Sequence, residues 1–229
     1  ATTRMSPADE IVAMTRERVL QTVAAGDVLI GLQLDGVDLS AANLVGAFLR
    51  QARLAGADLN HADLTRANLC GADLQNADLH GAYLFGCDLN GADLRKANLR
   101  ESDLDDARLG EADLRAADLT RASLAQARLG GAKLGRAVLH AADLTGAWMR
   151  ASDLREADLS AAMCGAVVLA QADLSGVDLT GADLRRANLR AATVSRAQLR
   201  QAAALDDAVL PDGTRFPADG QATLGELKS

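Results

Sequence analysis

The chain has 229 residues, 49% hydrophobic and 24% charged but only 2% aromatic, with a formal net charge of −7. An irregular globular core needs aromatic and mixed aliphatic side chains; three Phe, one Tyr and one Trp cannot supply it, so the interior must be one small unit repeated. No stretch approaches the roughly 20 apolar residues of a membrane-spanning helix, so no membrane partner is expected.

Residues 1–33 read as an N-terminal helical cap. Ser6 is placed as an N-cap, Pro7 as a first-turn proline and Glu10 as an early acid, opening a helix that runs to about Ala25 and stops at Gly26. Its apolar residues Ile11, Val12, Val19, Leu20 and Val23 would cover the first layer of the region that begins at Leu34. The start of the chain lacks the basic and apolar runs of a secretory leader. Cys70, Cys87 and Cys164 fit no disulfide or zinc spacing. Three free thiols and a cytoplasmic location are the expectation.

From Leu34 to Leu199 every fifth residue is a centre, without one insertion: 34 units, with Leu at all centres but Met149, Cys164 and Val194. A small residue, mostly Ala, stands two positions before each centre, and Asp or Asn usually stands just before it. Five residues turn about 500° on an α-helix, so the centres would circle the cylinder and leave no buried face. On a straight strand an odd period sends successive centres to opposite faces. A chain that bends once per unit resolves both, with Ala and Leu inward and the other three residues outward. Residues 34–202 are therefore read as a solenoid.

The A(D/N)LXX unit, repeated over about three quarters of the chain, resembles the pentapeptide repeat family. That resemblance implies an all-β, right-handed quadrilateral β-helix with four units per coil, about 40 Å long at a coil spacing of about 4.8 Å. One column of centres, Leu59, Leu79, Leu99, Leu119, Leu139 and Leu159, would form a core ladder. After Ala202 the phase fails, since Leu205 and Leu210 fall one position late. Pro211, Asp212 and Gly213 mark a turn, with Phe216 set to fold back, so residues 203–229 read as a turn-rich C-terminal cap over the last edge.

A convex rod with a filled interior offers no pocket in which titratable groups converge, so no enzyme, cofactor or metal is expected. His61, His80 and His140 lie on one face; His80 and His140 share a column but stand three coils apart, about 14 Å, too far to share a metal. The recurring Asp is assigned to local backbone bonding at the corners. No Gly-rich phosphate loop or nucleophilic triad occurs, and no direct nucleic-acid binding is expected.

Counting units in fours from Leu34, the fourth face carries Phe48, Asn68, Asp88, Arg108, Arg128, Trp148, Val168 and Asn188 just before its centres. Arg108, Arg128, Trp148 and Val168, with Arg150 beside the Trp, would form a basic and apolar stripe about 15 Å long, the composition of a binding hot spot. Tyr83 and Phe85 form a second exposed cluster on the third face, one coil from Asp103, Asp105 and Asp106.

The reading is a non-enzymatic scaffold that binds a so far unidentified protein through an exposed face. The alternative comes from the resemblance: several bacterial members protect topoisomerases, DNA gyrase among them, by mimicking duplex DNA. This chain has Leu rather than Phe centres and a turn-rich tail rather than a dimerising helix. Its repeats carry 22 acids against 19 bases, which are expected to divide only weakly among the faces. Homodimerisation is compatible with either reading, and a plain spacer is the third.

Overall fold

One unit, residues 57–61, shows how the chain satisfies its backbone while turning a corner every five residues. The Ala57 N–H donates to Leu54 O at 3.0 Å, Asp58 N–H to Val37 O of the previous coil at 3.0 Å, and Leu59 N–H to Asp78 O of the next coil at 2.7 Å. Asn60 N–H donates to the Asp58 carboxylate at 3.0 Å, and His61 N–H to His80 O at 2.9 Å. All five amides are thus paired, which allows a backbone with two-residue sides to be buried on its inner surface.

The computed structural model describes residues 15–218. Parallel bridges link residues twenty apart, from Val28–Phe48 to Asp173–Thr193, so four units close each coil and every unit stacks on its counterpart in the next. Inward Ala and centre Leu side chains fill the interior: Leu59, Leu79, Leu99, Leu119, Leu139 and Leu159 are all fully buried in one column. Met149 and Cys164 occupy centres as buried substitutes, and the inward Ser102 and Ser152 bond their hydroxyls to Leu99 O and Met149 O at 2.7 and 2.8 Å. From Gly31 to Ala191, the residue two after each centre takes a positive φ of 51–74°, as the second central position of a type II turn requires. Many of these corners carry Arg, Glu, Gln or Ala, and the hydrogen bonds on either side hold them in a region L-residues visit at a cost of roughly 1 kcal/mol.

The ends depart from expectation in three ways. The N-terminal helix does not run unbroken from Ser6: Thr15 is extended and is itself the N-cap of α1 (Arg16–Ala24), accepting from Arg18 N–H. The Ser6, Pro7, Glu10, Ile11 and Val12 assignments lie outside the described residues. The helix does stop at Gly26, where Gly26 N–H to Val23 O and Asp27 N–H to Thr22 O complete a Schellman motif. Val19 is fully buried, with Leu20 and Val23 packed on the same core, and Arg16 reaches Ser40 O at 2.6 Å. Coil stacking also begins before Leu34, since Val28 bridges Phe48 and Leu29 is fully buried.

The third departure explains the late phase near the C-terminus. A single-turn helix α2 (Arg196–Leu199) replaces one corner, with Ser195 and Gln198 forming a reciprocal capping box. It adds one residue, so the bridges become Asp183–Ala204 and Asn188–Val209, twenty-one apart, and Leu205 sits buried as a centre. Stacking therefore continues past Ala202 to Val209. Beyond it, the turn at Pro211–Gly213 sends the chain back antiparallel, with Val209 bridging Arg215 and Phe216 N–H donating to Ala208 O at 2.8 Å. Phe216 is buried by this return; residues after 218 are outside the described region.

Candidate functional site: an arginine and tryptophan face

The recurring Asp and Asn residues do what the corners need. Their Oδ1 atoms accept from the N–H two residues on, at 2.8–3.3 Å, along the whole rod. Several arginines are neutralised in the same register. On the first face Arg95, Arg115 and Arg155 grip Asp93, Asp113 and Asp153 at 2.6–2.7 Å, and on the third Arg185 grips Asp183. The Arg115, Arg155 and Arg185 guanidiniums hold the Asp113, Asp153 and Asp183 carboxyls below the usual carboxylate range.

The fourth face breaks this pattern. Its outward column runs Phe48, Asn68, Asp88, Arg108, Arg128, Trp148, Val168 and Asn188, each bridged to the next. Phe48 is 50% exposed and Trp148 51%. The Arg108 and Arg128 side chains find no ion pair or hydrogen bond among the described residues, and Arg150 bonds only the neutral Gln171, at 3.0 and 3.1 Å. Between Phe48 and Asn188, counting its corner, this face holds Arg50, Arg108, Arg128, Arg150 and Arg190 against Asp88 and Glu111. The second face, directly across the square and counted the same way, carries Asp38, Asp58, Asp78, Glu101, Asp118, Asp158 and Asp178 against Arg100 and Arg121. Weak segregation of charge is therefore corrected: the rod is positive on one face and negative on the opposite one.

Nor is the exterior featureless, as a convex rod would suggest. Gly110 and Gly130 follow their centres on the fourth face and leave a hollow beside Arg108, Arg128 and Trp148, with Asn90, Gln126 and one carboxylate, Asp106, on its rim. The Trp148 indole leans over Gly130, its Cδ1 at 3.8 Å from where a Cβ would stand. A second hollow shares Trp148 and continues past Arg150, Val168 and Arg190. Together they form an open groove along the rod axis.

The other candidates are placed differently. Tyr83 and Phe85 are exposed on the third face, and Tyr83 bridges Asp103. Asp103 there accepts from Asp105 N–H at 3.1 Å, and Asp105 from Ser123 Oγ and Ala125 N–H, so these two acids serve the rod's own structure. His61 and His80, one coil apart, meet with ring centroids at 5.4 Å, a contact that a column count from His80 to His140 does not show. Among the described residues no group of three or more His, Cys, Asp or Glu side chains is placed to hold a metal. Cys87 and Cys164 are buried in the core; burial pushes both thiols up, Cys164 to about 12, and Cys70 is half-buried. Among the described residues no helix is long and apolar enough to cross a membrane.

Twenty-residue coils of four bent units define a quadrilateral β-solenoid whose outer columns are free to vary. The profile of pentapeptide repeats matches in eight copies over residues 33–69, 62–100, 82–121, 92–136, 122–160 and 168–202, and the chain belongs to the pentapeptide repeat family. Members of that family fold as right-handed quadrilateral β-helices and are in general structural or interaction proteins rather than enzymes. The chain is similar to HetL, a pentapeptide repeat protein involved in heterocyst differentiation regulation in the cyanobacterium Nostoc sp. strain PCC 7120. Identity is 35% over 89% of this chain and 100% of that one, with a TM-score of 0.41. Rfr23 from the cyanobacterium Cyanothece 51142 is 29% identical over 42% of this chain and 62% of its own, with a TM-score of 0.35. QnrB1, a plasmid-mediated fluoroquinolone resistance protein, is 15% identical over 80% of this chain and 90% of its own, with a TM-score of 0.46. No significant match was found among curated proteins.

Proposed function

We propose that this protein is a non-enzymatic scaffold that captures a partner protein on its fourth face, through Phe48, Arg108, Arg128, Trp148, Arg150 and Val168. The observation that carries this reading is the contrast in arginine pairing: first-face guanidiniums are locked on carboxylates, whereas Arg108 and Arg128 stand unpaired beside a half-exposed Trp. Trp and Arg together, able to desolvate on contact, are the residues in which binding energy concentrates. Helix α1 at one end and the antiparallel return from Pro211 to Phe216 at the other act as caps that keep the end coils from pairing with other chains. Two buried thiols without disulfide partners support a cytoplasmic site of action. The test is capture of a partner from native lysate by wild type and by Trp148→Ala combined with Arg128→Ala. Capture is lost at unchanged thermal stability if the face binds, and unchanged capture retires it.

The acidic second face supports a second reading, inhibition or protection of DNA gyrase by duplex mimicry. Its acids recur about once per coil, near 4.8 Å, whereas a duplex presents a charge about every 1.7 Å, so the imitation is dilute. Supercoiling by purified gyrase, titrated with this protein with and without a quinolone, decides it. Inhibition or rescue that disappears when Asp58, Asp78 and Asp118 are changed to Asn supports mimicry, and no effect at tens of micromolar removes it.

A further inference from the structure

Among the described residues, single backbone N–H groups without an acceptor occur at Phe85, Gly135, His140 and Gly165 on the other faces, but the fourth face alone has them on three successive coils. Wherever an Asp or Asn precedes the centre, its Oδ1 accepts from the N–H two residues later, so that N–H is directed to the outer surface and meets an oxygen there. In three successive units of the fourth face the residue is instead Arg128, Trp148 or Val168, and the N–H groups of Gly130, Arg150 and Ala170 have no acceptor among the described residues. One unit earlier, where Arg108 replaces the Asp, the Gly110 N–H borrows Asn90 Oδ1 at 2.8 Å. The groove therefore presents three outward amide donors in a row, one per coil, between unpaired guanidiniums and an exposed indole.

We propose that this groove takes an extended acidic segment of the partner protein. Its carboxylates accept from the Gly130, Arg150 and Ala170 amides, in the place that Asp Oδ1 fills elsewhere, and from Arg108 and Arg128, while an apolar side chain of the segment packs on Trp148 and Val168. Charge-assisted bonds from amide and guanidinium to carboxylate are the strong ones available at such a surface. An open groove along the rod axis suits an extended strand of chain. The second face of another copy, whose Asp58 and Asp78 carboxylates bond their own backbone through Oδ1 and have no partner at Oδ2 among the described residues, is the competing occupant that the test distinguishes. A nucleic acid is disfavoured by the net charge of −7, which repels a polyanion at long range.

The inference rests on the fourth face being the binding face, and the test separates the two. Trp148 is the only tryptophan, so its fluorescence reports occupancy directly. The probes are a synthetic peptide of repeated Glu-Glu-Leu-Leu, which puts both residue types on each face of an extended strand, its Gln and Leu counterpart, and an oligothymidylate of similar length. Saturable change is expected with the Glu peptide, at least about tenfold weaker with the Gln peptide, and weakening with salt. Val168→Asp and Arg128→Asp restore the rod's ordinary unit and supply an internal acceptor for the Ala170 and Gly130 N–H groups; both are expected to fold normally and to weaken peptide binding about tenfold or more. Equal affinity for both peptides, tighter binding of the oligothymidylate, or a fluorescence change driven by protein concentration alone each overturns the proposal. So does silence toward the Glu peptide: if Trp148→Ala with Arg128→Ala still abolishes partner capture, the binding face stands and only the acidic segment falls.

Discussion

The Leu129 N–H donates to the Trp148 carbonyl at 2.7 Å, which sets Arg128 and Trp148 side by side on adjacent coils of the fourth face. Neither serves the corner that an Asp in the same place would serve, so each leaves without an acceptor an N–H that the Asp and Asn units pair. Arg128→Asp returns that bond to Gly130 N–H and is expected to stabilise the fold by about 0.5–1.5 kcal/mol. Thermal or urea unfolding checks it; a destabilised variant would contradict the assignment of the Asp residues to the corners.

Leu119 is fully buried midway along the core ladder, and each coil leans on its neighbours. Leu119→Ala is expected to cost about 2–5 kcal/mol, and Leu119→Asp more, by placing an unpaired carboxylate in an apolar column. Urea unfolding should show the Asp variant losing the single cooperative transition, with one half of the rod melting first. A variant that unfolds like wild type would mean that the coils are not mutually dependent.

Acid should loosen the rod through its arginine-gripped carboxyls. Asp113, Asp153 and Asp183 have pKa values lowered first by hydrogen bonds from Arg115, Arg155 and Arg185. A carboxyl whose pKa is lower when folded contributes its stability fully above the unfolded value of about 3.9, and loses it as pH falls through the folded value. Melting temperature is therefore expected to hold down to about pH 4 and decline below it. In Asp113→Asn with Asp153→Asn the decline should be shallower, since Asn keeps the oxygen for the corner N–H but has no charge to titrate. Identical acid limbs in the two proteins would contradict this source of acid sensitivity.

Thiol labelling distinguishes the three cysteines. Cys164 lies wholly in the core with its pKa pushed up to about 12 by burial, and Cys87 is raised by the same cause, whereas Cys70 is half-buried at the surface. A thiol-disulfide reagent should modify Cys70 in the native protein and all three only after denaturation, because reaction needs an accessible thiolate. Rapid native labelling of Cys164 would show that its coil opens.

How much of this is legible in the sequence depends on whether a feature is periodic. The centres from Leu34 to Leu199 and the Ala two before them are periodic, and their burial follows from the need to bend once per unit. The helical turn at Arg196–Leu199 is not periodic; the Ser195 and Gln198 spacing of a capping box is its one signal, masked by a five-residue count that runs on to Leu199. Thr15 is hidden as a cap because Ser6 and Pro7 make a stronger local pattern. The stripe of Arg108, Arg128 and Trp148 is visible as a column. The opposition of positive and negative faces lies in the same count of four but emerges only when every outward and corner residue is assigned to its column, because acids and bases nearly cancel along the chain. The free amides of Gly130, Arg150 and Ala170 are beyond reach, since they become apparent only once Asp Oδ1 is seen capping the same N–H elsewhere.

A chain of net charge −7 presents a positive, solvated aromatic face at Trp148. Quenching of its fluorescence by iodide and by caesium at low ionic strength measures the local field at that one ring. Iodide should quench more strongly than caesium, once each is scaled to its quenching of free tryptophan, and Arg128→Glu with Arg150→Glu should reverse the preference. Stronger quenching by caesium in the wild type would mean that the acidic charge of the whole rod governs this face as well, and the scaffold reading built on Arg128 and Trp148 would fall.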